Sequence, residues 1–105
     1  MASALILEFT GVGQDQYAAV NRQLGIDMES GEGEWPDGLL SHAAGPSAAG
    51  WTVLEVWASR EDQERFMNGR LGRALQEGGI TTAPSRVEWI DLVAYHIPGR
   101  RTAAR

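Results

Sequence analysis

The sequence predicts one α+β domain in which a four-stranded antiparallel sheet carries two helices on one face. Three observations support this. Apolar residues cluster in four strand-like stretches and fall at helical spacing in two others, in the order strand, helix, strand, strand, helix, strand. Glycine or proline closes most of these stretches. The chain has 105 residues, which is the size of a single domain.

Leu5-Ile6-Leu7-Glu8-Phe9 is a short strand with apolar residues on both faces, as a central strand covered on two sides requires. Gly11 and Gly13 end it. From Gln14 to Leu24, Tyr17, Ala18, Val20 and Leu24 recur at helical spacing, and Gly25 stands where a left-handed C-terminal cap belongs. The stretch from Ile26 to Gly38 is rich in glycine and acid, lacks periodicity and holds one tryptophan, Trp35. Loops of this length in small domains are often lids, so Gly31 to Asp37 is expected to be mobile and to cover a cavity mouth, with Trp35 as its apolar tip. Leu39 to Ala44 is a strand of small residues, Gly45 to Gly50 a hairpin connection, and Trp51 to Ala58 the strongest strand signal. Ser59 and Asp62 resemble a capping box, and Glu61, Asp62 and Glu64 load the first helical turn with favourable charge. That helix runs to Gly78-Gly79. A final strand is expected over Arg86 to Ile97, with Val87, Trp89, Val93 and Tyr95 on one face, stopped by Pro98-Gly99. The order is the split β-α-β repeat of ferredoxin-like folds. Residues 1–97 form the domain, and 98–105, with Arg100, Arg101 and Arg105, a flexible tail.

Two helices cover one face of such a sheet. Leu54 and Val56 alternate with Val53 and Trp57, so the other face is apolar as well, and a second copy of the chain is its simplest cover. A homodimer is therefore expected.

Composition narrows the chemistry. Hydrophobic residues make up 43% and charged residues 22%, as in ordinary globular domains. Nine arginines, no lysine and 14 acidic residues give a net charge of −5. Without lysine there is no Schiff base and no P-loop, and an acidic chain lacking a basic stripe is a poor partner for nucleic acid. Cysteine is absent, which removes disulfides, thiolate nucleophiles and cysteine-ligated metals. No apolar run approaches the ~20 residues of a membrane span, and Met1 to Leu7 lacks the basic start of a signal peptide. A cytoplasmic protein fits these features. Gly11-Val12-Gly13 opens a dinucleotide-like pattern, but Gln16 stands where its third glycine belongs. Glu29, Glu32 and Glu34 form a solvated charge run, so no metal site is expected.

The segments His42-Ala43-Ala44-Gly45-Pro46 and Gly50-Trp51-Thr52-Val53-Leu54-Glu55-Val56-Trp57-Ala58-Ser59, followed by an acidic helix start, resemble the dimeric α+β barrel superfamily, and within it small antibiotic-biosynthesis-monooxygenase-like proteins. The Trp57-Ala58-Ser59 step is the most typical local feature. The resemblance implies a cavity between sheet and helices, a pairing of two chains into a barrel, and no cofactor. Trp57 matches a cavity tryptophan at the end of the third strand in cofactor-free oxygenases. Those enzymes also carry a tyrosine early in the second helix, and Glu61 to Arg65 holds none. Haem-degrading members use a helix-borne histidine, whereas His42 and His96 lie on strands. The same barrel hosts cyclases, isomerases and proteins without known activity.

His42 and Glu55 are the candidate catalytic residues. If the hairpin pairs Gly45 with Gly50, His42 faces Val53 and Glu55 is its diagonal neighbour on the same face. A histidine oriented by a glutamate beside Trp51 and Trp57 is a candidate general base with aromatic walls. A one-residue slip would separate the two, and a purely structural His–Glu hydrogen bond is the plainer alternative. Trp35, Trp51, Trp57 and Tyr95 are the candidate substrate-binding residues, although aromatic side chains are more often simple core. Glu8, in an apolar strand, is either a half-buried acid or an edge residue. His96 is expected to be exposed. The expected activity is that of a cofactor-independent oxygenase on an aromatic or polyketide-like small molecule. A cyclase or isomerase using the same base, and a binding or structural dimer without turnover, are the alternatives.

Overall fold

The structure is a computed structural model that describes residues 2–98. Strand β1 (Ser3–Phe9), helix α1 (Gln14–Leu24), the hairpin β2 (Leu39–Ser47) and β3 (Gly50–Trp57), helix α2 (Arg60–Phe66), helix α3 (Gly72–Glu77) and strand β4 (Arg86–Asp91) follow in sequence. The sheet is antiparallel with order β2-β3-β1-β4, so β1 sits in the middle as its apolar pattern requires. The ferredoxin-like α+β architecture is present.

Alternation sets the two faces. Leu5, Leu7 and Phe9 of β1 and Trp51, Val53 and Trp57 of β3 are buried beneath the helices with Val20, Leu24, Ala74 and Ile80. Pairing of Leu5 with Glu55 and of His42 with Glu55 brings both polar residues to this helix-covered face. The opposite face carries Ile6, Ala43, Leu54, Val56 and Ile90, and Leu54 and Ile90 keep 49% and 40% of their surface exposed.

Helix α1 matches its expected limits. Gln16 Oε1 reaches back to the Gly13 amide at 2.9 Å, and Gly25, at φ 77°, closes the helix with its amide on the Arg22 and Asn21 carbonyls. The residue that spoils the dinucleotide pattern is thus a helix-capping glutamine. Ser59 caps α2 by accepting from the Asp62 amide at 3.2 Å.

Three expectations need correction. The second helix is not continuous: Met67–Leu71 forms a π-helical turn between α2 and α3, and Gly69 has φ −119° and ψ −106°, outside helical space. The hairpin connection is shorter than Gly45 to Gly50, because β2 runs on to Ser47 and pairs it with Gly50 across the two-residue turn Ala48-Ala49. The last strand stops at Asp91, not Ile97. Among the described residues its only neighbour is β1, whose ladder ends at Ser3 opposite Asp91; one more bond, Leu92 N to Ala2 O at 3.1 Å, finishes the pairing. Beyond it no strand among the described residues takes the backbone groups, and Val93 is 97% exposed. Of the expected tail at 98–105, only Pro98 lies within the described residues.

Candidate active site

The corrected hairpin register puts His42 directly opposite Glu55 instead of diagonal to it. The shift amounts to two residues, and two residues preserve the face. A β-bulge at Leu40 then adds a second effect. Leu39 pairs with Trp57 and Ser41 with Val56, so the extra residue turns both Leu39 and His42 toward the helices although they are three apart.

Four side chains form one hydrogen-bonded line. The Trp57 indole N–H donates to Glu55 Oε1 at 2.9 Å. Glu55 Oε2 meets His42 Nδ1 at 2.8 Å, with side-chain exposures of 10% and 17%. His42 Nε2 meets the Tyr17 hydroxyl. A carboxylate only accepts, so Glu55 takes the Trp57 and His42 protons on separate oxygens. In the neutral imidazole this assigns the proton to Nδ1 and the lone pair to Nε2, where the Tyr17 O–H donates. The Tyr17 and His42 rings are nearly parallel, at 8°, with centroids 6.0 Å apart. With a hydroxyl-to-nitrogen bond between them, that separation places the rings end to end and not face to face.

Burial raises the Tyr17 phenol above its ordinary value of 10.0; the nearby Asn21 side chain pulls it down and the Glu55 charge pushes it up again. Tyr17 is therefore a neutral phenol across the physiological range.

The line ends in an apolar cavity of about 70 Å³ between sheet and helices. Its lining includes Tyr17, Asn21, Trp35, His42, Trp51 and Glu55, with Phe66, Met67 and Leu71 from α2 and the π-helical turn. Trp35 lies over His42 with ring centroids 5.4 Å apart and also borders an outer groove with Leu39, Leu40, Ser41 and His42. It is the wall between cavity and surface.

The loop that carries Trp35 is tied down at several points. Ile26 bridges Gly33, Asp27 N donates to Glu32 O at 2.8 Å, and the Trp35 indole donates to Gly31 O at 2.7 Å. Gly33, at φ 142°, approaches the Gly25 carbonyl so closely that a β-carbon would lie 2.2 Å from it. Arg70, in the π-helical turn, closes the far side: its Nη2 donates to Leu24 O at 2.9 Å and to Glu34 O at 2.6 Å. One guanidinium nitrogen thus clasps the end of α1 to the residue beside Trp35.

Of the residues singled out from the sequence, His42, Glu55, Trp51 and Trp35 meet at the cavity. Trp57 does not line it. It is fully buried behind Glu55, against Phe66 at 6.0 Å, and acts on the site through its indole N–H. Tyr95 lies outside the cavity lining, with a buried hydroxyl that has no partner among the described residues. Glu8 is on the open face, paired with Arg86 at 3.0 Å. His96 is exposed. Sequence reasoning missed Tyr17, Asn21 and Arg70. Tyr17 had been counted only as an apolar position of α1, yet a tyrosine on a sheet-facing stripe has a hydroxyl that needs a partner. Among the described residues no group of acids and histidines is arranged to hold a metal ion, and no helix is long and apolar enough to cross a membrane.

No protein-family model matches the sequence. No curated protein matches it either. Solved structures do. A protein of Chloroflexus aurantiacus assigned by name as an antibiotic biosynthesis monooxygenase superposes with a TM-score of 0.62 at 18% identity, covering 91% of this chain and 97% of that one. One of Nitrosomonas europaea, of unknown function, gives 0.57 at 17% identity and 92% coverage of each chain. Another assigned the monooxygenase name, from Bacteroides thetaiotaomicron, gives 0.53 at 16% identity over 94% of this chain and 91% of that one. At such identities the likeness is one of fold, and this chain has the ferredoxin-like α+β fold of the antibiotic-biosynthesis-monooxygenase-like proteins.

Proposed function

We propose that the protein is a cofactor-independent enzyme that removes a proton from a small planar aromatic or polyketide-like molecule. His42 is the proton acceptor and Glu55 orients it and stabilises the imidazolium. The observation that carries this reading is a Glu55–His42 pair, at 2.8 Å, at a cavity walled mostly by apolar side chains. Imidazole titrates near neutral pH, and a carboxylate behind Nδ1 fixes its tautomer. The names of two fold neighbours support an oxygenase, in which the substrate carbanion reacts onward with oxygen. A cyclase or isomerase would use the same base without oxygen.

Cavity size restricts the ligand. About 70 Å³ holds on the order of five waters, well below the ~300–1,000 Å³ of ordinary ligand pockets. An aromatic substrate therefore enters by displacing Trp35, the lid residue expected from the loop's composition. A second copy of the chain covers the open face of the sheet.

Turnover of candidate aromatic substrates, with oxygen uptake recorded, tests the proposal. His42→Ala is expected to lower the rate by ~10² to 10⁴, the usual contribution of a positioned base. Near wild-type turnover with a lowered melting temperature would make His42 structural and leave a ligand-binding protein. Turnover without oxygen uptake would select the cyclase or isomerase.

A further inference from the structure

We infer that Tyr17, not His42, is the group that meets the substrate, and that the site ionises a planar phenol or enol through the Tyr17 hydroxyl while the Trp51 indole N–H receives the resulting oxyanion. The inference rests on the proton-acceptor reading of His42 and assigns the contact to a different residue.

Two observations carry it. The first is that the lone pair of His42 is already engaged. Nδ1 is held by Glu55 and Nε2 by the Tyr17 hydroxyl, so both ring nitrogens are occupied within the protein. A ligand in the cavity reaches the imidazole only through that hydroxyl or by displacing it. Tyr17 belongs to the cavity wall, and its oxygen still has lone pairs free to accept a hydrogen bond. The second is that Trp51 also lines the cavity, 5.0 Å from the Tyr17 ring between centroids, and its indole N–H is buried without an acceptor among the described residues. Leaving such a donor unpaired is costly, and the oxygen of a ligand in the cavity is an acceptor for it.

The proton steps balance. The substrate O–H bond breaks and its proton goes to the Tyr17 oxygen. The Tyr17 O–H bond breaks and that proton goes to His42 Nε2, giving an imidazolium held by the Glu55 carboxylate. Tyr17 ends neutral and now donates to the anion it has produced. With Trp51 it forms a pair of donors at the oxygen where charge develops, the arrangement that stabilises oxyanions most effectively. The ligand class follows: a flat apolar body, which the lining demands, bearing one ionisable hydroxyl.

The test uses 4-nitrophenol, a planar phenol whose ionised form is yellow, bound to the intact protein at a pH about one unit below its own pKa. Roughly a tenth of the free phenol is ionised there. Bound to the wild type, the ionised fraction is expected to rise about fivefold, and in Tyr17→Phe to fall back to the free value. Trp51→Phe should weaken binding of the phenolate several-fold while proton transfer persists. Circular dichroism of each variant checks that the fold is kept.

A Tyr17→Phe protein that ionises the probe as well as the wild type, or better, would show that His42 accepts directly and Tyr17 merely covers it. That overturns the inference and leaves the proposed function standing. Ionisation that persists in His42→Ala sinks the proposed function itself. Absence of any binding overturns the phenol or enol class, and unchanged binding in Trp51→Phe removes Trp51 from the oxyanion site.

Discussion

Each face of the sheet pairs a glutamate with a cation-forming neighbour, and the two pairs sit in opposite surroundings. Glu8 and Arg86 meet at 3.0 Å on the open face, where the arginine also reaches Glu88 and keeps 45% of its side chain exposed. Those carboxylates hold the Arg86 guanidinium charge more firmly, raising its already high pKa. Solvent screens the pair, and the guanidinium keeps its charge at every ordinary pH. Glu55 and His42 meet at 2.8 Å on the covered face, with 10% and 17% of their side chains exposed. Trp57 fixes one glutamate oxygen, and Tyr17 engages the far side of the imidazole. The contact distance is nearly the same. What sets the covered pair apart is burial, an imidazole in place of a guanidinium, and a hydrogen bond on every remaining polar atom.

The sharpest way to break that contrast is to neutralise both glutamates. Glu55→Gln is expected to cost roughly 10- to 10²-fold in rate, less than loss of His42 itself. A glutamine has one acceptor oxygen for the two donors of Trp57 and His42, so it presses an N–H₂ against one of them and favours the wrong imidazole tautomer. Glu8→Gln should leave rate and melting temperature unchanged. Equal effects of the two substitutions would mean that burial confers nothing special on Glu55. If Glu55→Gln were inert while His42→Ala was dead, the base would stand without its partner.

The open face itself provides the next test. With Ile6, Leu54, Val56 and Ile90 on one side of the sheet and no helix of the described residues over them, sedimentation at micromolar concentration is expected to show a dimer, and Leu54→Arg a monomer. A well-folded wild-type monomer would leave the apolar open face unexplained and the two-copy arrangement wrong.

The smallest expected effect is spectroscopic. Tyr17 binds its proton more tightly in the folded chain than in the unfolded one, whose tyrosine ionises near 10.0. Its contribution to stability is complete below that pH and is lost as the pH climbs through the folded value, so stability declines on the alkaline side. An alkaline absorbance titration should show a tyrosine component above the ordinary range that disappears in Tyr17→Phe. Ionisation of all tyrosine in the ordinary range would place Tyr17 in water and not in the covered line.

Much of this fold was legible because local patterns and tertiary demands agree. The periodicity of Gln14 to Leu24 and the cap at Gly25 gave α1 its limits, and the alternation in β1 and β3 put the right side chains under the helices. What was not legible depended on partners far away in the chain. The end of β4 is set by where β1 begins, and no pattern within Arg86 to Ile97 records that. The π-helical turn places Arg70 against carbonyls at Leu24 and Glu34, contacts that helical periodicity cannot foresee. The His42–Glu55 pairing was anticipated despite a register two residues off, because a strand's faces repeat with that same period. Tyr17 went unrecognised because a hydroxyl's role depends on which strand residue its helix is laid across.

The clasp made by Arg70 separates two properties that are usually inherited together. Every residue in the hydrogen-bonded line comes from α1, β2 or β3, whereas the wall at Trp35 is secured from the π-helical turn. Under the proposed function, substitutions at Arg70 or along the Ile26-to-Gly38 loop are expected to change which molecules enter while leaving the four hydrogen-bonded side chains in place. For a scaffold that hosts many activities, this is a practical division of labour. A laboratory selecting for new substrates would do well to vary the clasp and the loop first.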